Sequence, residues 1–390
     1  MKYNFDQIID RHNTDCLKYD FAKEWGYPED VLSLWVADMD FPTAAPVIEA
    51  LKAQAEKGIY GYSDSKEDYF QAVSGWYERR FGWKPEKEWL VKTPGVVFAL
   101  AMCVRSFTQP GDGVLIQRPV YGPFTSVVTD NGRKLVNCPL VLEQGKYRMD
   151  FAGLEKAFAS GEVKLMLLCS PHNPVGRVWD EEELRRLEEL ALAHHVIVVS
   201  DEIHSDFVWD GKKHHVLMGL DPAYQENVVV CTAPSKTFNL AGLQCSNIFI
   251  ANETLRKQFN REMAGVGYGL LNAAGLTACK AAYQYGEEWL DQLKAYIRGN
   301  IAFLEDYCAA HMPGVCVIHP EGTYLVWMDF RALGLSQKEL DQRIGQSAGV
   351  WLDTGTMFGN EGKGFQRVNT ACSRSILEQA LERLRSELCK

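Results

Sequence analysis

The sequence has no apolar run approaching the roughly 18–20 residues that a membrane-spanning helix needs, which excludes the usual signature of an integral membrane protein. Its first residues, Met1-Lys2-Tyr3-Asn4-Phe5-Asp6, lack the apolar stretch of a secretory signal. Basic residues are in deficit: 41 Lys and Arg against 51 Asp and Glu give a formal charge of −10. Binding of nucleic acid as a main function is therefore disfavoured, although a local pocket for one small anion is compatible with that charge. No Cys-x-x-Cys pair occurs, the nearest two cysteines being Cys308 and Cys316. A zinc ribbon, another cysteine-held metal site or a thioredoxin-type motif is thus unsupported. Eleven cysteines, an odd number without a secretory leader, read as reduced thiols. There is no internal repeat, low-complexity tract or linker. What is present is 390 residues, 46% hydrophobic and 24% charged, which points to a folded cytoplasmic enzyme of two or three domains or one large α/β unit.

Short apolar runs alternate with amphipathic stretches through the middle of the chain. Val114-Leu115-Ile116 reads as a buried strand after the turn Pro110-Gly111-Asp112-Gly113. Val163 to Cys169, Val196 to Ser200 and Val228 to Thr232 read as three more. Between the second and third lies Asp180 to His194, with Leu184, Leu187 and Leu190 at helical spacing, acidic residues in the first turn, and Asp180 placed to cap. A helix joining two strands is a βαβ unit, which implies a mostly parallel sheet flanked by helices. Past Trp289 the texture changes. A helix near 287–311, a sheet-like Gly322 to Met328, a helix near 336–347, Arg367 to Thr370 and a last helix from Ser375 to Cys389 suggest a smaller α/β C-terminal domain. The first 45 residues are loop-like, with Pro42 and Pro46 bracketing a turn, and are expected to cover another part of the molecule.

Ligands of open parallel sheets bind beyond the carboxyl ends of the strands, so the residues after each apolar run carry the most information. Asn173 sits between Pro171 and Pro174, which fix its direction; read alone, the segment is equally a rigid turn. Asp201 ends a buried strand, where a carboxylate needs a cationic partner; a helix cap or structural ion pair accounts for it as well. His204, three residues on, fits the same site or an ordinary buried histidine. Lys236 stands among small, hydroxyl and aromatic residues, where desolvation would lower its pKa and free a nucleophilic amine; a solvated strand-end lysine is the plain alternative. Pro94-Gly95-Val96-Val97 opens an apolar helix whose first amides suit a phosphate. The combination says more than the parts. A phosphate cradle, a carboxylate for a ring nitrogen, a donor for a phenolic oxygen and an imine-forming lysine together match pyridoxal 5′-phosphate.

At this point the sequence resembles the fold-type I pyridoxal-phosphate enzymes along essentially its whole length. Within them it is most similar to the MalY/PatB-type cystathionine β-lyases of the class I/II aminotransferase superfamily. The segments that carry the resemblance are Asp10-Arg11-His12, Ala37-Asp38-Met39-Asp40-Phe41, Gly61-Tyr62-Ser63, Ser170 to Gly176, Ser200-Asp201-Glu202-Ile203-His204, Ser235-Lys236-Thr237-Phe238-Asn239 and Arg367-Val368-Asn369. The resemblance implies an N-terminal segment 1–45 packed with the small domain, a large cofactor-binding domain 46–285 and a small domain 286–390. It implies that Lys236 binds the cofactor and moves the Cα proton, Asp201 pairs with the pyridinium nitrogen, and Asn173 donates to the phenolic oxygen. Tyr121 would stack on the ring, Val96, Val97 and Ser235 would hold the phosphate, and His204 would stand near the cofactor. Arg367 would clamp the substrate carboxylate, Ala37 would touch substrate, and Tyr324 and the first 45 residues would shape the side-chain pocket. Tyr62 would cross the interface of a homodimer into the partner's site. The chain departs from the aminotransferase pattern at Gln244, where an arginine is usual, and at Ala233, where a serine is. The activity implied is α,β-elimination on cystathionine or a related cysteine S-conjugate. Transamination, or protein–protein regulation on the same scaffold, are the competing expectations.

Overall fold

A computed structural model describes residues 2–389, so Met1 and Lys390 lie outside the described residues. Seven strands make the central sheet in the spatial order Leu90–Thr93, Ser246–Ile250, Val228–Thr232, Ile197–Asp201, Val163–Cys169, Gly113–Ile116 and Lys134–Asn137. From Val228–Thr232 to Lys134–Asn137 every neighbour is parallel, and Ser246–Ile250 is antiparallel to both strands beside it. The expected mostly parallel α/β sheet is therefore present, with one reversed strand.

Successive side chains of a strand face opposite ways, and both faces here are apolar. Met166, Leu168, Val198 and Val230 enter one core; Leu165, Leu167, Val199 and Val229 enter another on the opposite face. A sheet covered on both sides needs such apolar runs, which is why residues 165–169 and 228–231 do not alternate with polar residues. The first core is closed by helices such as Glu67–Phe81 and Glu181–Ala193, the second by Val96–Phe107 and Glu253–Gly265. In Glu181–Ala193, Leu184 and Leu187 are buried, and Asp180 with Glu183 forms a reciprocal capping box, a cap of about 1 kcal/mol.

A second, antiparallel sheet joins Cys316–Ile318, Leu325–Asp329, Phe365–Asn369 and Asp353–Thr354. The strand expected from Gly322 starts at Leu325 instead. Thr323 has a φ of 66°, which turns the backbone out of the extended region, and its hydroxyl bonds back to Leu325. Pro46 does not bracket a turn but lies in the first turn of the helix Ala45–Glu56, where its missing N–H costs nothing. The strand expected at Val196 runs Ile197–Asp201, so Asp201 is the last strand residue rather than the first beyond it.

The N-terminal segment is paired to the small domain at one place and cross-linked within itself at another. Leu32–Ser33 pairs in parallel with Val350–Trp351, and Trp35 stacks on Trp351 with ring centres 4.5 Å apart. Farther on, Asp40 accepts hydrogen bonds from Arg11, Lys18 and Tyr19 at 2.8, 2.8 and 2.9 Å. Lys18 is wholly buried.

Candidate active site

Strand register decides what meets at the carboxyl edge of the sheet. Cys169 is paired with Asp201, and Asp201 with Cys231. The loop carrying Asn173, the carboxylate of Asp201 and the short helix Pro234–Thr237 carrying Lys236 therefore emerge side by side. They line one cavity of about 420 Å³, together with Val96, Val97, Tyr121, His204, Ser235, Gln244, Ala37 and Arg367. The structure thus brings together every residue singled out from the sequence as a site residue except Tyr62. That side chain is fully exposed at 101% and lines no wall of this chain's own cavity. Ala233 and Tyr324 do not line the cavity, and both are buried.

Lys236 Nζ donates to the Ala37 carbonyl at 2.7 Å, and the Tyr324 hydroxyl donates to the same oxygen at 3.1 Å. Burial, with the Arg367 charge added, pushes the amine down to about 8. Asp201 is affected in the opposite direction: burial pushes its carboxyl up to about 7, against one backbone hydrogen bond from Ile203 at 3.1 Å. Two groups with opposing shifts in one cavity are the mark of a site built for proton chemistry. His204 is buried with Nδ1 unpartnered, and burial pushes it well below the ordinary range, so the ring is neutral.

Arg367 is fixed on three sides. Nη1 donates to Asn173 Oδ1 at 3.0 Å, Nη2 donates to the Trp35 carbonyl at 2.8 Å and to Asp353, and Phe358 lies under the guanidinium at 5.1 Å. Asp353 faces Arg367 across the small sheet. Because Asn173 spends its oxygen on Arg367, its amide N–H groups are left for an acceptor elsewhere.

Asp353, Trp35 and Met357 also line the cavity and were not anticipated. Asp353 is brought to Arg367 only by antiparallel pairing of two short strands, one of them two residues long, which no local periodicity announces. Trp35 carries a signal, an aromatic beside the Ala37 to Phe41 segment, that in sequence is indistinguishable from core.

The residues present fit the phosphorylated pyridine aldehyde expected from the sequence. The helix Val96–Phe107 begins after Gly95 with no side chain capping it, so its first amides await an anion. Ser235 adds a hydroxyl at that end, and Gln244, in a left-handed conformation, adds a neutral amide where a cation would have been. The buried Asp201 awaits a cationic donor, and Lys236 holds the amine. Among the described residues no group of His, Cys, Asp and Glu could hold a metal ion, and no helix is long and apolar enough to cross a membrane.

Comparison with known proteins agrees with this arrangement. Residues 29–384 match the family model of aminotransferase class I and II. The chain is 43% identical over 385 residues to the cystathionine beta-lyase PatB of Bacillus subtilis, covering 99% of this chain and 100% of that one. The crystal structure of cystalysin from Treponema denticola, which contains a pyridoxal 5′-phosphate cofactor, superposes with a TM-score of 0.97 at 36% identity, covering 100% and 99% of the two chains. The PLP-bound C–S lyase from Staphylococcus hominis superposes with a TM-score of 0.93 at 32% identity, again over 100% and 99%.

Proposed function

The chain belongs to the class I and II aminotransferase family, and from that premise we propose that it is a pyridoxal-phosphate-dependent carbon–sulfur β-lyase. Its reaction is α,β-elimination on cystathionine or a related cysteine S-conjugate, giving a thiol, pyruvate and ammonia. The observation that carries this reading is similarity over the full length to a cystathionine beta-lyase and to C–S lyases, joined to a cavity in which Lys236, Asp201, Asn173 and Arg367 meet.

Pyridoxal phosphate, when bound, supplies an aldehyde that condenses with amines and a protonated ring that withdraws electrons from the substrate's Cα. The chain's own residues then have distinct work. Lys236 offers the amine, and because burial favours its neutral form, a large fraction is nucleophilic near pH 8. The same Nζ would take the Cα proton of bound substrate as general base and could hand it to the departing thiolate. Asp201 holds a proton on the ring nitrogen; an N–H cation beside it restores the ionised carboxylate that burial alone disfavours. Asn173 presents its amide to the phenolic oxygen, and Tyr121 covers a ring face. The Val96 and Val97 amides with Ser235 hold the phosphate through dipoles and neutral donors, since Gln244 brings no charge. Arg367, its plane already fixed by Asp353 and Trp35, receives the substrate carboxylate with little ordering left to do.

The protein assembles as a homodimer in this reading. Ile59, Tyr60 and Tyr62 stand out 80, 71 and 101% exposed on one short segment, an apolar display that a second copy would cover. Light scattering should give twice 44.0 kDa, and Tyr62→Ala should weaken activity without changing that mass.

Two measurements test the function. The purified protein should absorb in the near-ultraviolet to violet, with a band that borohydride bleaches. Cystathionine supplied without any keto acid should yield pyruvate and thiol over many turnovers. A single turnover that stalls as the pyridoxamine form would instead establish an aminotransferase.

A further inference from the structure

Eleven free thiols are distributed through the chain, and two pairs of them are in hydrogen-bond contact within the core. Cys103 and Cys231 touch each other but are both fully buried. Cys245 and Cys279 both lie within 3.4 Å of the Tyr69 hydroxyl, and Cys245, itself 5% exposed, forms part of the wall of the active-site cavity, next to Gln244. One pair is sealed; the other has one cysteine on the wall of a cavity.

The second pair is organised by two polar neighbours. The Tyr69 hydroxyl lies 2.7 Å from Asn247 Oδ1, 3.4 Å from Cys245 Sγ and 3.3 Å from Cys279 Sγ. It has one proton, and the amide oxygen at 2.7 Å is the strongest acceptor of the three. Asn247 Nδ2 points its own hydrogen at Cys279 Sγ, 3.6 Å away. Cys279 in turn favours the thiolate form of Cys245. The donors thus run in one direction and end on Cys245, with the Lys92 charge nearby. Cys245 is held below the ordinary thiol range by the Cys279 hydrogen bond, whereas burial raises Cys279 well above it. A low, cavity-facing thiol beside a high, buried one is the arrangement of an attacking and a resolving cysteine.

We propose that Cys245 and Cys279 are a modification site for peroxides, with Cys245 as the attacking sulfur and Cys279 as the resolving one. The Cys245 thiolate attacks one oxygen of hydrogen peroxide; the O–O bond breaks, hydroxide leaves, and Cys245 becomes a sulfenic acid. The Cys279 sulfur then attacks Cys245, the S–O bond breaks, and the oxygen departs as water with the Cys279 proton. The pair is oxidised by two electrons to a disulfide and the peroxide is reduced to water.

The test uses the holoenzyme as purified, exposed to hydrogen peroxide for increasing times, alkylated with iodoacetamide and mapped by mass spectrometry. The expected result is a disulfide-linked peptide joining Cys245 and Cys279 that dithiothreitol reverses. It should form at least about tenfold faster than any loss of Cys103 or Cys231. In Cys279→Ser the link is lost and Cys245 instead becomes reactive toward dimedone; in Cys245→Ser, Cys279 stays reduced. The proposal is overturned if Cys245 in the unaltered protein remains alkylatable while the exposed Cys316 or the sealed pair oxidises. That first map needs no variant, so a variant that fails to fold does not protect the idea.

Discussion

Asp40 offers the sharpest test of how the N-terminal segment holds its shape beside the active site. Its carboxylate accepts from Arg11, Lys18 and Tyr19 at 2.8–2.9 Å, and Asp38 adds a second carboxylate 3.6 Å from Lys18 Nζ. Lys18 is 0% exposed and Asp40 only 11%, so solvent screening removes little of this interaction. Asp40→Asn keeps the shape and deletes the charge, leaving a buried ammonium with one distant partner. Breaking a buried pair from one side costs about 3–5 kcal/mol; because Asp38 remains, the lower end, about 3 kcal/mol, is expected. Unfolding entropy of about 2.1 cal/mol/K per residue, over 390 residues, comes to about 0.8 kcal/mol/K, so Tm should fall by about 4 °C. Differential scanning calorimetry at matched protein concentration measures this. Lys18→Met added to Asp40→Asn removes the stranded charge while filling the same space, and should recover most of the loss. A drop under about 1 °C for the single variant, or no recovery in the double, refutes the claim that this ion cluster holds the segment together. The consequence reaches the site, because Asn239 bonds the Met39 and Phe41 backbone just beyond the carbonyl of Ala37 that receives Lys236.

Three further outcomes follow from the site itself. Lys236→Ala should lower turnover at least about 10³-fold, since both the nucleophile and the general base are lost, while circular dichroism shows the fold intact. Arg367→Lys keeps a cation beside Asp353 but gives up the planar fork, so steady-state kinetics should show kcat/KM down about 10–100-fold, mostly through KM. In protein stripped of cofactor, Asp201, raised to about 7, binds a proton that the unfolded chain has lost, so stability falls as pH rises from about 4 to 7. Asp201→Asn removes that slope and should melt higher than the parent at pH 7.5, with the gap closing toward pH 4.5; a lower melting point at pH 7.5 contradicts the assignment of burial as the cause.

The parts of the molecule that could be read from the chain are those in which one local rule acts without competition. Residues 165–169 and 228–231 are apolar on both faces because both faces of the sheet are covered, and that pattern survives in sequence as an unbroken run. Asp180 and Glu183 announce the helix after them because a cap is a contact between near neighbours. Asn173, Asp201 and Lys236 are each ambiguous, yet each follows a recognisable strand, and parallel order alone sends strand ends to a common edge. The unread parts depend on pairing across long stretches of chain. Asp353 meets Arg367 through a two-residue strand. The Leu32–Ser33 strand exists because Val350–Trp351 is there to pair with it, more than three hundred residues away. Thr323 ends the extended run before Leu325 because the chain must turn behind the site, where Gly322 packs so closely that a Cβ would lie 2.8 Å from the Phe207 carbonyl oxygen.

The same distinction explains why the chemistry was more legible than the specificity. A cofactor imposes fixed demands, an amine, an acid, an amide and an anion cradle, and each falls at the end of an element whose pattern is local. Trp35, Met357 and the loop around Ala37 line the cavity and are brought in by the N-terminal segment and the small sheet through contacts such as Asn369 with Val36 and Asp38 at 2.7 and 2.6 Å. Specificity set at this wall would therefore depend on how a loop-like segment is fastened. Loosening the fastening at Asp40 should disturb which thioether is accepted before it disturbs whether Lys236 reacts.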